Sequence, residues 1–407
     1  MNVGIIGGGA SGMMAAIRAA QNGHSVTILE HMGRVGKKIL STGSGRCNLS
    51  NTDMDISHFH GGNQKLISHI LDAFSKDDTL SFFSKSGLYT TNKNGYLYPY
   101  CEQASSVLDM FLSALKHSNV QIVTDCEILS VKPTNIRNIK GFTVSTSMGD
   151  YTFDKLILAA GSKAAPKTGS DGSGYMIAKS LGHSILKPLP ALCGLKCSEG
   201  FFKSLAGIRC KASVSLYAND EFLGCDKGEI QLNKYGISGI PVMQLSYLAA
   251  KSLDDKKKVT AQISFMHEFD ASSLYGYLKA RISSNPDFSA GELFLTILNK
   301  NITSVLLKEC NISRDLSCSD LSEKQLKLLS DKVTCFKVNI VGTNSFDEAQ
   351  VCSGGVSLDE VDDNMQSRLV PGLYFAGEIL DVNGDCGGYN LQWAFSSGYV
   401  AGSLENA

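Results

Sequence analysis

The stretch Asn2–Glu30 (NVGIIGGGASGMMAAIRAAQNGHSVTILE) constrains the fold more tightly than any other part of the chain. Val3, Ile5 and Ile6 make a short apolar strand. Gly7, Gly9 and Gly12 fill a G-x-G-x-x-G turn with Ser11 inside it, and Met13 to Gln21 continue as a helix. The first glycine permits a tight turn, the second lets the backbone approach a pyrophosphate, and the third lets helix and strand pack closely. The helix N-terminus then offers free N–H groups and a partial positive charge to the anion. A second strand, Ser25 to Leu29, ends in Glu30. An acidic residue about 20 positions past the first glycine is where a ribose diol is held. Its charge repels a 2′-phosphate, which argues against NADP at this place. The unit predicts a bound dinucleotide and leaves NAD and FAD open.

At 407 residues the chain is long enough for two or three domains, and 43% hydrophobic content supplies their cores. A formal net charge of −1 gives no electrostatic footprint for nucleic acid or an anionic membrane. There is no run of about 20 apolar residues, and no basic segment precedes the glycine-broken first strand. The expectation is a cytoplasmic protein acting on a small-molecule substrate, with neither membrane nor nucleic acid as partner. The 12 cysteines are scattered singly, without C-x-x-C or a paired spacing with histidine. That predicts small buried thiols in a reducing compartment rather than zinc ligands. His58 and His60 are spaced like a metal pair, but with no third ligand nearby they read as part of a solvated loop, so no metal site is expected.

After Glu30 comes HMGRVGKKILSTGSGRCNLSN, which sets Arg34, Lys37, Lys38 and Arg46 beside the expected pyrophosphate. An irregular segment of this length inside a compact domain is usually functional. It reads as a strip along an extended dinucleotide, with the backbone N–H groups of Gly43, Gly45 and Cys47 facing an anion or a flavin. Apolar residues from Leu66 to Phe83 fall at helical spacing, and Asn94-Gly95 predicts a type I′ hairpin between two Tyr- and Thr-rich runs. The apolar strand KLIL ends in Ala159-Ala160-Gly161, small enough for close approach to a cofactor.

From about Pro188 to Phe346 short strands alternate with helices, one starting at Pro241 and others at capping boxes Ser289/Glu292 and Ser322/Gln325. This reads as a separate inserted domain. The last stretch returns to the opening style. GLYFAGE places Gly377 and Glu378 after a buried strand, and Gly387-Gly388 opens a helix running to about Leu404. Negative charge develops at N1/O2 of a reduced flavin, and a second helix N-terminus stabilises it. Simple doubly wound NAD enzymes have no such closing segment, so the pattern favours FAD.

Taken together, IIGGGASG, KKILSTGSGRCNLSN, ILAAGSKAAPKTGSDGSGYMIAKSLGH, YGISG, CSGGVSLDEV and GLYFAGEILDVNGDCGGYNLQWAFSSG give a resemblance that covers essentially the whole chain. It resembles the two-dinucleotide-fold flavoproteins, and more closely the BaiN-type or YhiN-like family, also called aminoacetone oxidase family FAD-binding enzymes. The resemblance implies an α/β fold: a Rossmann-type, glutathione-reductase-like FAD-binding domain, discontinuous over 1–190 and 347–407. Inserted in it would be a β-rich middle domain (191–265 and 333–346) and a helical subdomain (266–332). By the same resemblance Ser11 and Gly12 hold pyrophosphate and Glu30 the adenosine ribose. Lys38, Gly45, Arg46, Cys47 and Asn48 line the flavin side, and Ile128 meets adenine through its backbone. Gly377, Glu378, Asn390 and Leu391 close over the ribityl chain and ring.

The implied activity is that of an FAD-dependent oxidoreductase. Hydride passes between NAD(P)H as a transient donor, or an oxidisable substrate, and a small acceptor such as a conjugated, steroid- or bile-acid-like ketone, or oxygen. Amine oxidation and, against the charge balance, tRNA modification are the alternatives. No catalytic acid or base is singled out: Cys47 reads as a packed thiol, and Tyr389 equally as a proton donor or as packing on the cofactor.

Overall fold

The protein is described from a computed structural model, which defines residues 1–136 and 139–404. The chain forms two units, Met1–Leu189 with Phe346–Ala407, and Pro190–Ser345.

The first unit is built on a five-stranded sheet. Its order across the sheet is Leu373–Phe375, Lys155–Leu158, Asn2–Ile6, Ser25–Leu29, Gln121–Val123. Every neighbouring pair is parallel. The strands are short apolar runs, buried almost throughout in the central three, as parallel strands with covered faces must be. The strand order reverses at Asn2–Ile6, where the chain's next sheet strands are added on opposite sides, the place at which doubly wound sheets open a crevice for a dinucleotide. The helix Ala10–Gln21 packs against the C-terminal helix Tyr389–Ser403 with backbones nearly touching. A Cβ on Gly398 would strike the Ser11 carbonyl, and one on Gly402 the Ala15 carbonyl.

The helical pattern from Leu66 to Phe83 is two helices, Gln64–Ala73 and Lys76–Lys85, because Ser75 and Asp78 form a capping box that starts a new one. The hairpin Thr90–Lys93/Tyr96–Pro99 forms around Asn94-Gly95, both at positive φ as a type I′ turn requires. An antiparallel meander, Ile128–Ile136, Ile139–Thr146 and Gly149–Phe153, fills the connection before the fourth sheet strand.

The second unit is a closed six-stranded barrel. The helices Ile240–Asp254, Ala271–Ser284, Lys300–Glu309 and Glu323–Thr334 share one apolar core with its strands. Pro241 lies in the first turn of its helix, and Ser322 with Gln325 caps another. Ser289 N–H and Oγ both donate to Glu292 Oε2, one half of a capping box, without a helix following. There the Ala290 and Gly291 N–H groups donate instead to Leu316 and Arg314 carbonyls, which holds the segment in turns. None of the 12 cysteines forms a disulfide. Among the described residues no helix is long and apolar enough to cross a membrane.

Candidate cofactor site

At the sheet reversal Gly7 has φ +102°, and a Cβ there would strike the Ala159 carbonyl. Only glycine lets the end of the first strand meet the end of the Lys155–Leu158 strand so closely. A side chain at Gly9 would meet nothing within 4 Å, so open space faces the turn. No side chain caps the first N–H groups of Ala10–Gln21. They remain available to an anion.

Glu30 closes this end. Its Oε2 accepts from the Gly8 N–H at 2.7 Å and its Oε1 from the Met32 N–H at 2.8 Å, with His31 Nδ1 at 3.2 Å. Burial alone would raise its pKa. The hydrogen bonds from His31, Met32 and Gly8 outweigh burial and hold the carboxyl below its ordinary range. The Glu30 carbonyl accepts from Cys126 N–H at 3.0 Å, two residues before Ile128.

The basic strip is a short helix, Lys37–Ser41, and a tight turn, Thr42–Gly45, in which Gly43 and Ser44 are left-handed. Gly45 and Arg46 are exposed. The Arg46 guanidinium lies 5.7 Å from the Tyr98 ring centroid and 3.9 Å from Glu102. Cys47 points the other way. It is fully buried, and burial pushes its thiol up to about 12, so it is a packed residue rather than a nucleophile. Asn48 Oδ1 is buried with no hydrogen-bond partner.

The far ends of the chain meet over this strip. Lys38 Nζ lies 2.5 Å from Glu378 Oε2 and 3.3 Å from the Ala164 carbonyl, and Ser162 Oγ lies 3.3 Å from the same carboxylate oxygen. Ser11 Oγ donates to the Ala376 carbonyl at 3.3 Å, and a Cβ on Gly377 would strike that hydroxyl. Gly161, at the end of the neighbouring strand, has Ser170 Oγ 2.9 Å from where its Cβ would be. Ser50 Oγ donates to Gln392 Oε1 at 2.8 Å and Asn51 Nδ2 to the Gly387 carbonyl at 3.0 Å. These two bonds tie the strip to the start of Tyr389–Ser403, whose N-terminus also lacks a side-chain cap.

Asn390 and Leu391 lie in the first turn of that helix. Asn390 accepts from Gly384 N–H and donates to the Gly384 carbonyl, both at 2.8 Å, so its side chain shapes the loop before the helix. Leu391 packs, partly buried, against the apolar core.

His58 and His60 are not in a solvated loop. His58 Nδ1 lies 3.0 Å and His60 Nε2 2.8 Å from the two oxygens of Asp385, and His58 stacks on Tyr389 at 4.5 Å. Their partner lies more than 300 positions away, which no local spacing reveals. Among the described residues no group of three or more side chains is arranged to hold a metal. Ser162, Asn51 and Gln392 also escaped sequence reasoning, because each acts through a contact distant in the chain.

A sheet that reverses at the glycine turn, with a C-terminal helix returning to that turn, defines a Rossmann-type dinucleotide-binding fold. Residues 1–404 match the family described as HI0933-like protein Rossmann domain, and the chain belongs to that family. It is 41% identical over 403 residues to the 3-dehydro-bile acid delta(4,6)-reductase of Clostridium scindens, covering 98% of each chain. It is 28% identical over 403 residues to the ribosomal RNA dihydrouridine synthase of Escherichia coli, covering 97% of this chain and 96% of that one. The Haemophilus influenzae protein of the same name is 26% identical over 401 residues, with 97% and 96% covered.

The residues present fit FAD. Two uncapped helix N-termini, open space at Gly9 and an orphaned amide oxygen at Asn48 are what a long dianionic ligand with a hydrogen-bonding ring would complete.

Proposed function

We propose that the protein saturates a carbon–carbon double bond conjugated to a ketone in a steroid-like acceptor, using electrons from a reduced nicotinamide. The observation that carries this reading is the 41% identity, over nearly the full length of both chains, to a reductase of 3-dehydro-bile acids. Bound FAD supplies the hydride carrier.

The chain's own residues bind, orient and balance charge. The free N–H groups opening Ala10–Gln21 meet the pyrophosphate, and Glu30 offers ribose hydroxyls the lone pairs that Gly8 and Met32 leave. Lys38 and Glu378 neutralise one another where the chain ends meet, so that region gains no net charge. The uncapped start of Tyr389–Ser403 favours negative charge near it, which is the sense needed on reduction. The chain carries a single G-x-G-x-x-G, so the nicotinamide visits a transient site rather than a second dinucleotide fold. Twelve cysteines with no disulfide among them suit a reducing cytoplasm.

The test is anaerobic. NADH, or in a parallel cuvette NADPH, should bleach the long-wavelength flavin band of the holoprotein, and a 3-oxo-Δ4 steroid should then restore it with the product two hydrogens heavier. A flavin that no steroid enone reoxidises would overturn the reading.

A second reading, a ribosomal RNA acceptor, draws on the two dihydrouridine synthases. Uracil too carries a double bond conjugated to a carbonyl, so the two readings share a reaction and differ in what is bound around it. The net charge of −1 supplies little to neutralise a phosphate backbone, which places this reading second. Reoxidation by an unmodified ribosomal RNA fragment at low salt, and not by steroid, would reverse the order.

A further inference from the structure

The hairpin strand Tyr96–Pro99 alternates half-exposed and buried, with Leu97 and Pro99 turned into the protein and Tyr96 and Tyr98 sharing the opposite face. Strand periodicity puts residues two apart on one side. What lies against that face is specific. Tyr96 Cε1 is 3.1 Å from where a Cβ of Gly387 would be, and Tyr98 Cε1 is 3.7 Å from where a Cβ of Gly43 would be. One ring therefore abuts the glycines that open the C-terminal helix, and the other abuts the left-handed turn of the basic strip. The hairpin is held in this register by pairing with Ser50-Asn51, the same two residues that bond Gln392 and Gly387. The Arg46 guanidinium lies over the Tyr98 ring, 5.7 Å from its centroid. Farther along, Tyr89 and Tyr100 form an aromatic pair, centroids 5.3 Å apart, that is 74% and 67% exposed.

We propose that Tyr96 and Tyr98 form the wall on which the acceptor lies, and that this wall selects a flat, apolar, polycyclic ketone. The inference rests on the steroid reading above and deepens it. Each ring lies against one of the two backbone segments that the cofactor reading places along the flavin. Tyrosine offers a large rigid face at small entropic cost, and its hydroxyl tolerates the wet rim. Bulky fused rings gain most from such a face. A small amine would leave two tyrosines facing water.

The experiment uses the FAD-loaded protein and a saturated 3-oxo steroid, which binds but has no double bond to reduce, read by perturbation of the flavin spectrum. Tyr96→Ala and Tyr98→Ala should each weaken its Kd about three- to tenfold, the size of one aromatic contact. Tyr96→Phe and Tyr98→Phe should stay within about twofold, since the face and not the hydroxyl does the work. If either alanine variant fails to retain FAD, Tyr98→Leu, closer in volume, carries the measurement. Wild-type binding and enone reduction with unchanged Kd in the alanine and leucine variants would overturn the wall alone. A wild-type protein that neither binds the saturated steroid nor reduces its enone would overturn the steroid reading and the wall with it.

Discussion

His183 and His58 each hold a carboxylate 3.0 Å from Nδ1, yet their surroundings drive them in opposite directions. His183 has a fully buried side chain, and burial lowers its pKa against the pull of Glu360. Its Nε2 is 2.8 Å from Ser367 Oγ, which also accepts from the N–H groups of Leu369 and Val370. The serine hydrogen must then point to Nε2, so Nδ1–H donates to Glu360. Serine, histidine and glutamate stand in the order of a nucleophilic triad. The hydroxyl is nevertheless buried and engaged on every side, so the trio is a structural pin. His58 lies nearer solvent, and although burial pulls its pKa down, hydrogen bonds to Asp385 and Asp53 outweigh it and raise it. Two carboxylates against partial burial favour the cation, whereas one carboxylate against full burial favours the neutral ring.

The largest test of this contrast is His183→Ala. It strands a buried hydroxyl and should cost about 2–4 kcal/mol in denaturant unfolding. His58→Ala should cost less than about 1 kcal/mol, since its bonds are largely replaced by water. Equal losses would break the comparison.

Lys38–Glu378 is intermediate in burial, and Lys38→Met should weaken FAD retention about tenfold by leaving the carboxylate uncompensated beside a dianion. Lys38→Met with Glu378→Gln should recover part of that loss, measured as FAD released on dilution.

The pH dependence runs oppositely for the two histidines. The folded pKa of His183 lies below its unfolded value, so its contribution is complete above pH about 6.5 and lost as pH falls. The folded pKa of His58 is raised, so its contribution is complete below pH about 6.5 and lost as pH rises through the folded value. The stability gap between wild type and His58→Gln should therefore narrow between mildly acidic and mildly alkaline pH. The gap to His183→Asn should widen, each with a slope no steeper than about 1.4 kcal/mol per pH unit.

Smallest is the thiol counterpart. Alkylation of the native protein should label the exposed Cys101 and Cys225 and spare Cys47, as peptide mapping would show.

The first βαβ unit, the Asn94-Gly95 hairpin and the terminal helix were legible because each is fixed by neighbours in sequence: glycines at set offsets, a turn dipeptide, an apolar run. The split at Ser75 was written there too, as Ser and Asp three apart. The turns after Ser289 were not, since backbone pairing with Arg314 and Leu316 overrode a local helix signal. Asp385 as the partner of both His58 and His60, and Gln392 as that of Ser50, depend on contacts hundreds of residues apart. Such pairs leave no periodic trace. The bonds by which the Asn390 side chain braces its own loop leave no such trace either.

The near-contact of Gly398 and Gly402 with the first helix sets the order in which the molecule can be assembled. A nascent chain presents its glycine turn before the helix that seats against it, with the whole of Pro190–Ser345 made in between. Contacts between such distant segments form late, and until then the apolar flank of Ala10–Gln21 has no permanent cover. Cofactor capture should therefore be a closing event of biogenesis, and a chain released before Tyr389 should emerge colourless and dependent on chaperones.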